Sequence, residues 1–132
     1  MNLNFTISEL IKSDTAVKNN INNMPDIKSL DNLLNLIFYC LQPLRDKLGK
    51  PIIITSGYRC EKVNTLVKGK NNSQHLKGQA ADFKVAGMTI TQIIDFVKKS
   101  GIEYDQLINE YDRYVHISYV KGNNRKSCFK LG

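Results

Sequence analysis

An α+β fold, with helices packed on a mostly antiparallel sheet, is what this sequence predicts. Three observations carry that reading. Apolar residues recur at helical spacing in the first half of the chain. Short β-branched runs bounded by turn residues cluster in the second half. The chain has 132 residues, a length that suits one domain, here expected to span residues 1–132.

The elements follow in order. "TISELIKSD" carries a Thr6 or Ser8 cap with Glu9 in the first turn, the signature of a short helix. "NNINNMPDI" is rich in turn residues and ends it. From Ser29 to Leu48, a stripe of Leu30, Leu33, Leu34, Ile37, Phe38, Leu41, Leu44 and Leu48 predicts one long amphipathic helix. Pro43 lacks an N–H and should kink or divide that helix near Leu41–Gln42, and Gly49 should cap it. "PIIITS" reads as a buried strand, and "GYRCEKVNTLV" as a turn entering a short helix. "KGKNNSQ" is a polar loop, and "AADFKV" a second strand. "TITQIIDFVKKSG" is a helix capped by Thr89 or Thr91 and stopped by Gly101. "DQLINE" and "YVHISYV", separated by "YDR", predict a hairpin, and "CFKL" an edge strand.

Composition narrows the function classes. Hydrophobic residues make up 42% and charged residues 23%, an ordinary soluble mix. No apolar run approaches the ~20 residues that span a bilayer, so membrane insertion is not expected. The start, "MNLNFTISELIKSD", has no basic segment followed by an apolar core. The expectation is synthesis in the cytoplasm without a signal peptide. The formal charge is +7, but the basic residues are dispersed and form no recognition pattern, so nucleic acid is not an expected partner. Three cysteines, Cys40, Cys60 and Cys128, form no metal-ligand spacing and no even framework. Cys40 falls in an apolar helical run and is expected in the core.

Chemistry concentrates in His75, Asp82 and His116. Asp82 sits between Ala81 and Phe83 in an apolar strand, where a lone carboxylate is costly to desolvate. A cation removes that cost. Two imidazoles and a carboxylate make a three-ligand set of the kind catalytic zinc uses, with a position left for water. The ordinary reading, a core histidine and a turn-anchoring aspartate, stands beside it on spacing alone.

"SGYRC", then "SQHLKGQAAD", then "YVHISY" resemble the zinc D-alanyl-D-alanine carboxypeptidase family, whose fold is shared with the Hedgehog signalling domain. The family pattern SxHxxGxxxD is met by Ser73, His75, Gly78 and Asp82, and the later strand histidine by His116. "FTISELIKSDTA" and "PLRDKLGKPI" resemble a short branch common in phages and prophages. The resemblance implies a Hedgehog/DD-peptidase-like domain holding one Zn²⁺ on His75, Asp82 and His116. It implies Gly78 as the tight turn that lets His75 and Asp82 converge. It also implies hydrolysis of a peptidoglycan stem peptide, of carboxypeptidase, dipeptidase or endopeptidase type. A monomer released to act on the wall, as in phage lysis, is the accompanying expectation.

Relatives of this kind place an acid shortly before the second histidine, often three residues earlier, where this chain has Arg113. Glu110 is the expected base, with Asp112 the alternative. The resemblance also implies that Arg59 lies at the active site to bind substrate or stabilise charge, and Ser73 is expected to hydrogen-bond substrate. Tyr58, Gln74, Tyr114 and Tyr119 are candidate cleft residues. The departure at Arg113 keeps a second reading in play: a metal-stabilised binding or structural domain without hydrolysis.

Overall fold

The computed structural model describes residues 3–132; Met1 and Asn2, at the head of the expected domain, lie outside the described residues. The expected α+β architecture is present. Helices α1 (Ile7–Ile11), α2 (Asp14–Lys18) and α3 (Ile27–Leu36) come first. A π-helical turn (Ile37–Leu41) leads into α4 (Gln42–Leu48). Strand β1 (Ile53–Ser56), α5 (Glu61–Leu66), a 3₁₀ turn (Gln74–Lys77), β2 (Ala80–Lys84) and α6 (Ile90–Ser100) follow. Strands β3 (Gln106–Glu110), β4 (Tyr114–Ser118) and β5 (Ser127–Leu131) close the chain. The five strands form one sheet in the order β1-β2-β4-β3-β5. All pairings are antiparallel except β3 with β5. Among the described residues, no helix is long and apolar enough to cross a membrane.

Local chemistry explains the elements. Thr6 accepts from the Glu9 N–H while Glu9 reaches back to the Thr6 N–H, a full capping box for α1. Ser13 caps α2, which the sequence reading did not separate from α1; its signal is Ser13 three residues before Ala16. The helix break near Pro43 takes the form of the π turn. The Gln42 N–H bonds Ile37 O, five residues back, and the widened coil makes room for the proline ring. Leu33, Ile37, Leu41 and Leu44 are buried as expected. Leu34 and Phe38 are instead 37% and 41% exposed, and Leu36 and Cys40 fill the core in their place. The apolar arc is wider than the face the sheet can cover.

Alternation along the strands separates two functions. Ala81, Phe83, Leu107, Val115 and Ile117 face the core shared with α3, α4 and α6. Full burial of such side chains stabilises by roughly 2 kcal/mol each. Asp82, His116, Glu110 and Tyr114 occupy the alternate positions and share the opposite face. The expectation of a buried strand at "PIIITS" is corrected: β1 is a half-exposed edge strand, with Ile53 50% exposed. An all-apolar run is compatible with an edge when one side lines a cleft rather than the core.

Asp105, which the sequence reading did not single out, is buried and ties the C-terminal segment to the body. It accepts from the Arg125 backbone N–H, from Arg125 Nε and Nη2, and from Gln74 Nε2, at 2.9, 2.9, 2.7 and 2.9 Å. The Arg125 guanidinium, above all, holds its carboxyl down at about 2. A carboxyl depressed in the fold stabilises fully above its unfolded value of ~3.9, and that contribution is lost as pH falls through the folded value. Asp105→Asn is therefore expected to cost about 2 kcal/mol at pH 7 by urea unfolding. The gap from wild type should close between about pH 4 and pH 2. A gap of the same size at pH 2 would contradict the charged pairing.

Candidate metal centre

His75, Asp82 and His116 come together. Asp82 lies opposite His116 across the β2–β4 ladder. His75 reaches them from the 3₁₀ turn, not from an open loop: Ser73 accepts from the His75 N–H, and Gly78 ends the turn in the left-handed conformation at φ +72°. Gly78 is required twice over. A side chain is strained at that φ, and a Cβ there would also run into the Ser29 carbonyl and lie 3.1 Å from Leu33 Cγ. This turn lets residues seven apart in sequence meet.

All three side chains are buried, and their ligand atoms lie within 4.8 Å of one another. His75 Nε2 is 3.2 Å and His116 Nδ1 3.0 Å from Asp82 Oδ1. Ligands about 2.0–2.1 Å from a tetrahedral zinc sit roughly 3.3 Å apart, so the donor set fits such an ion with little movement. The second nitrogen of His75, Nδ1, bonds Gly57 O at 2.7 Å, which fixes the ring and leaves Nε2 turned to Asp82. Burial works against ionisation of Asp82, but the His75 and His116 rings outweigh it and hold its carboxyl below the usual carboxylate range.

Arg59 stands beside this group. Its backbone N–H donates to His75 O at 3.1 Å. Asn23 clamps the same loop, accepting from the Cys60 N–H and donating to Tyr58 O. That clamp was not visible in the sequence, because "NNINNM" offers several equivalent asparagines. The Nε of Arg59 is buried without a hydrogen-bond partner. Burial lowers the pKa of Arg59, and the charges of Asp82 and Glu110 with the Tyr114 phenol oppose that shift. Arg59, Asp82 and Tyr114 line one cleft of about 890 Å³.

A family model described as Peptidase M15 matches residues 3–118. The chain belongs to the Peptidase M15 family. Its relatives are the zinc D-Ala-D-Ala carboxypeptidase-like metallopeptidases. No curated protein matches it. In this M15 chain, Glu110 pairs with Tyr114 in the hairpin and shares the sheet face of His116. Asp112 is committed elsewhere. Tyr111 and Asp112 have φ of +58° and +55°, as in a type I′ turn, and Asp112 bonds Asn109 and Lys130. Arg113, at the position where an acid was expected, donates its N–H to Glu110 O in the same turn. Tyr58 lines the cleft with Tyr114. Two cleft expectations are corrected: Gln74 turns to Asp105, and Tyr119 stacks on Tyr39 at 5.7 Å. Ser73 is occupied in holding the His75 backbone.

Gly57 carries the carbonyl that orients His75, and a Cβ there would collide with the Leu10 carbonyl, whose Cα lies at 3.1 Å. Gly57→Ala is expected to weaken zinc affinity about 10–100-fold in a chelator competition, by moving the carbonyl off Nδ1. Gly87→Ala, where a Cβ meets nothing but φ is +80°, should cost stability alone. Equal affinities in the two variants would mean that the carbonyl does not set the ring.

Proposed function

We propose that this M15 chain is a zinc-dependent hydrolase of a peptide bond in bacterial cell-wall stem peptides, acting as a single domain over residues 1–132. The observation that supports it most is the buried His75–Asp82–His116 group, whose Asp82 lines a cleft that also presents Arg59. Zn²⁺ held by these three residues would supply Lewis acidity and bring the pKa of water towards ~7. The family and the donor set favour zinc over harder cations, which prefer all-oxygen sites.

The remaining work falls to side chains. Glu110 takes the proton from the attacking water and returns it to the leaving amine. Besides the candidate ligand Asp82, it is the acid on the sheet face of His116, while Asp112 is held in its turn by Asn109 and Lys130. Arg59, with an unpartnered buried Nε, offers donors to the developing oxyanion or to a substrate carboxylate. Ser73 positions His75 through its accepting oxygen and keeps its hydroxyl proton for a substrate group. Zn²⁺ is the one cofactor, the stem peptide is the partner, and the chain acts as a monomer on the wall, as in phage lysis. The charge of +7 favours adhesion to anionic wall polymers.

Glu110→Gln should retain one zinc per chain and lose about 10²–10⁴-fold in kcat on peptidoglycan, read as new amino termini. Asp112→Asn should stay within a few-fold of wild type. Full activity of Glu110→Gln would move the base elsewhere. Zinc without turnover in the wild type would favour the non-hydrolytic binding domain.

A further inference from the structure

We infer that the substrate lies as an extended peptide along the free edge of β1, adding a sixth strand to the sheet; this rests on the hydrolytic reading above and specifies its substrate as longer than a dipeptide. β1 is the end strand of the sheet. Beyond its ladder with β2, no backbone group of residues 53–56 is bonded to another backbone group among the described residues. An end strand with open N–H and C=O groups is a template for another chain unless it is covered. Here no further strand pairs with it among the described residues. Ile53 is 50% exposed, and all four residues of β1 line the cleft that holds Asp82.

The edge is fixed in register with the metal-ligand set. Ser56 pairs with Asp82 and Ile54 with Phe83, so Thr55 is an extra residue in a β-bulge. The Thr55 hydroxyl donates to Asp82 O at 3.2 Å and ties the bulged strand to the ligand-bearing strand. A peptide aligned on β1 is thereby aligned on Asp82. The strand runs from Ser56 beside Asp82 to Ile53 beside Lys84. That span is roughly 10 Å, room for about three substrate residues on one side of the scissile bond. A dipeptide would leave most of it empty. Walls are supplied by Lys12 before α2 and by Val63 and Val67 at α5, while the main chain of β1 supplies the ladder. Cleavage within a longer peptide is the mode this arrangement fits.

Amide hydrogen exchange on the zinc-loaded Glu110→Gln protein tests it. The probe is the stem pentapeptide L-Ala-γ-D-Glu-L-Lys-D-Ala-D-Ala at ten times its Kd, with the dipeptide D-Ala-D-Ala as comparison. The pentapeptide should slow exchange about 10-fold at amides of Ile53–Ser56 that face away from β2. The dipeptide should leave them unchanged. Pentapeptide binding seen at Arg59 and Tyr114 without protection of β1 would overturn the inference, as would absence of pentapeptide binding. Protection of β1 together with no turnover by the wild type would uphold the edge and overturn the hydrolytic reading.

Discussion

A carboxylate buried on the middle of a strand is the constraint around which this structure is arranged. Asp82 lies between Ala81 and Phe83, which face the core, so its own side chain must turn to the opposite face. Left alone there, an ionised carboxylate would lose several kcal/mol of hydration. The sheet order places β2 between β1 and β4, which puts His116 directly across from it. The 3₁₀ turn ended by Gly78 brings His75 to its other side. Two imidazoles converging on one carboxylate oxygen make a donor set suited to a divalent ion.

Backbone groups hold that set in place. Gly57 O orients His75, His75 O receives the Arg59 N–H, and Leu10 O receives the Tyr58 N–H at 2.7 Å. The short loop from Gly57 to Cys60 is thus stitched to α1, to the 3₁₀ turn and to Asn23. The same loop presents Arg59 to the cleft. Geometry of the candidate ligands and placement of the candidate oxyanion donor are therefore one structural problem with one solution. Asp105 extends the system by joining Gln74, next to His75, to Arg125 in the C-terminal segment.

Much of this was legible in the sequence because local chemistry dictates it. Capping residues, the Gly49 and Gly101 stops, the hairpin around "YDR" and the alternation around His116 need no tertiary information. The histidine pair and Asp82 stood out because a carboxylate in an apolar strand demands a partner, and the resemblance to the carboxypeptidase family then implied them as a ligand set. What stayed hidden depends on the rest of the molecule. Whether "PIIITS" is central or edge is decided by which strands pair with it, not by its apolarity. Leu34 and Leu36 are identical in type, and only helix packing decides which is buried. Asn23 and Asp105 are ordinary polar residues until distant backbone groups arrive beside them.

Membership of the Peptidase M15 family and the geometry of three side chains are consistent with the same metal-dependent chemistry. The account depends on one ion shared by His75, Asp82 and His116. Anomalous diffraction at the zinc edge, from crystals grown with equimolar zinc, addresses that directly. The expected result is one peak about 2.0–2.2 Å from His75 Nε2, His116 Nδ1 and an Asp82 oxygen. Zinc bound only elsewhere, with the three side chains keeping their mutual hydrogen bonds, would contradict it.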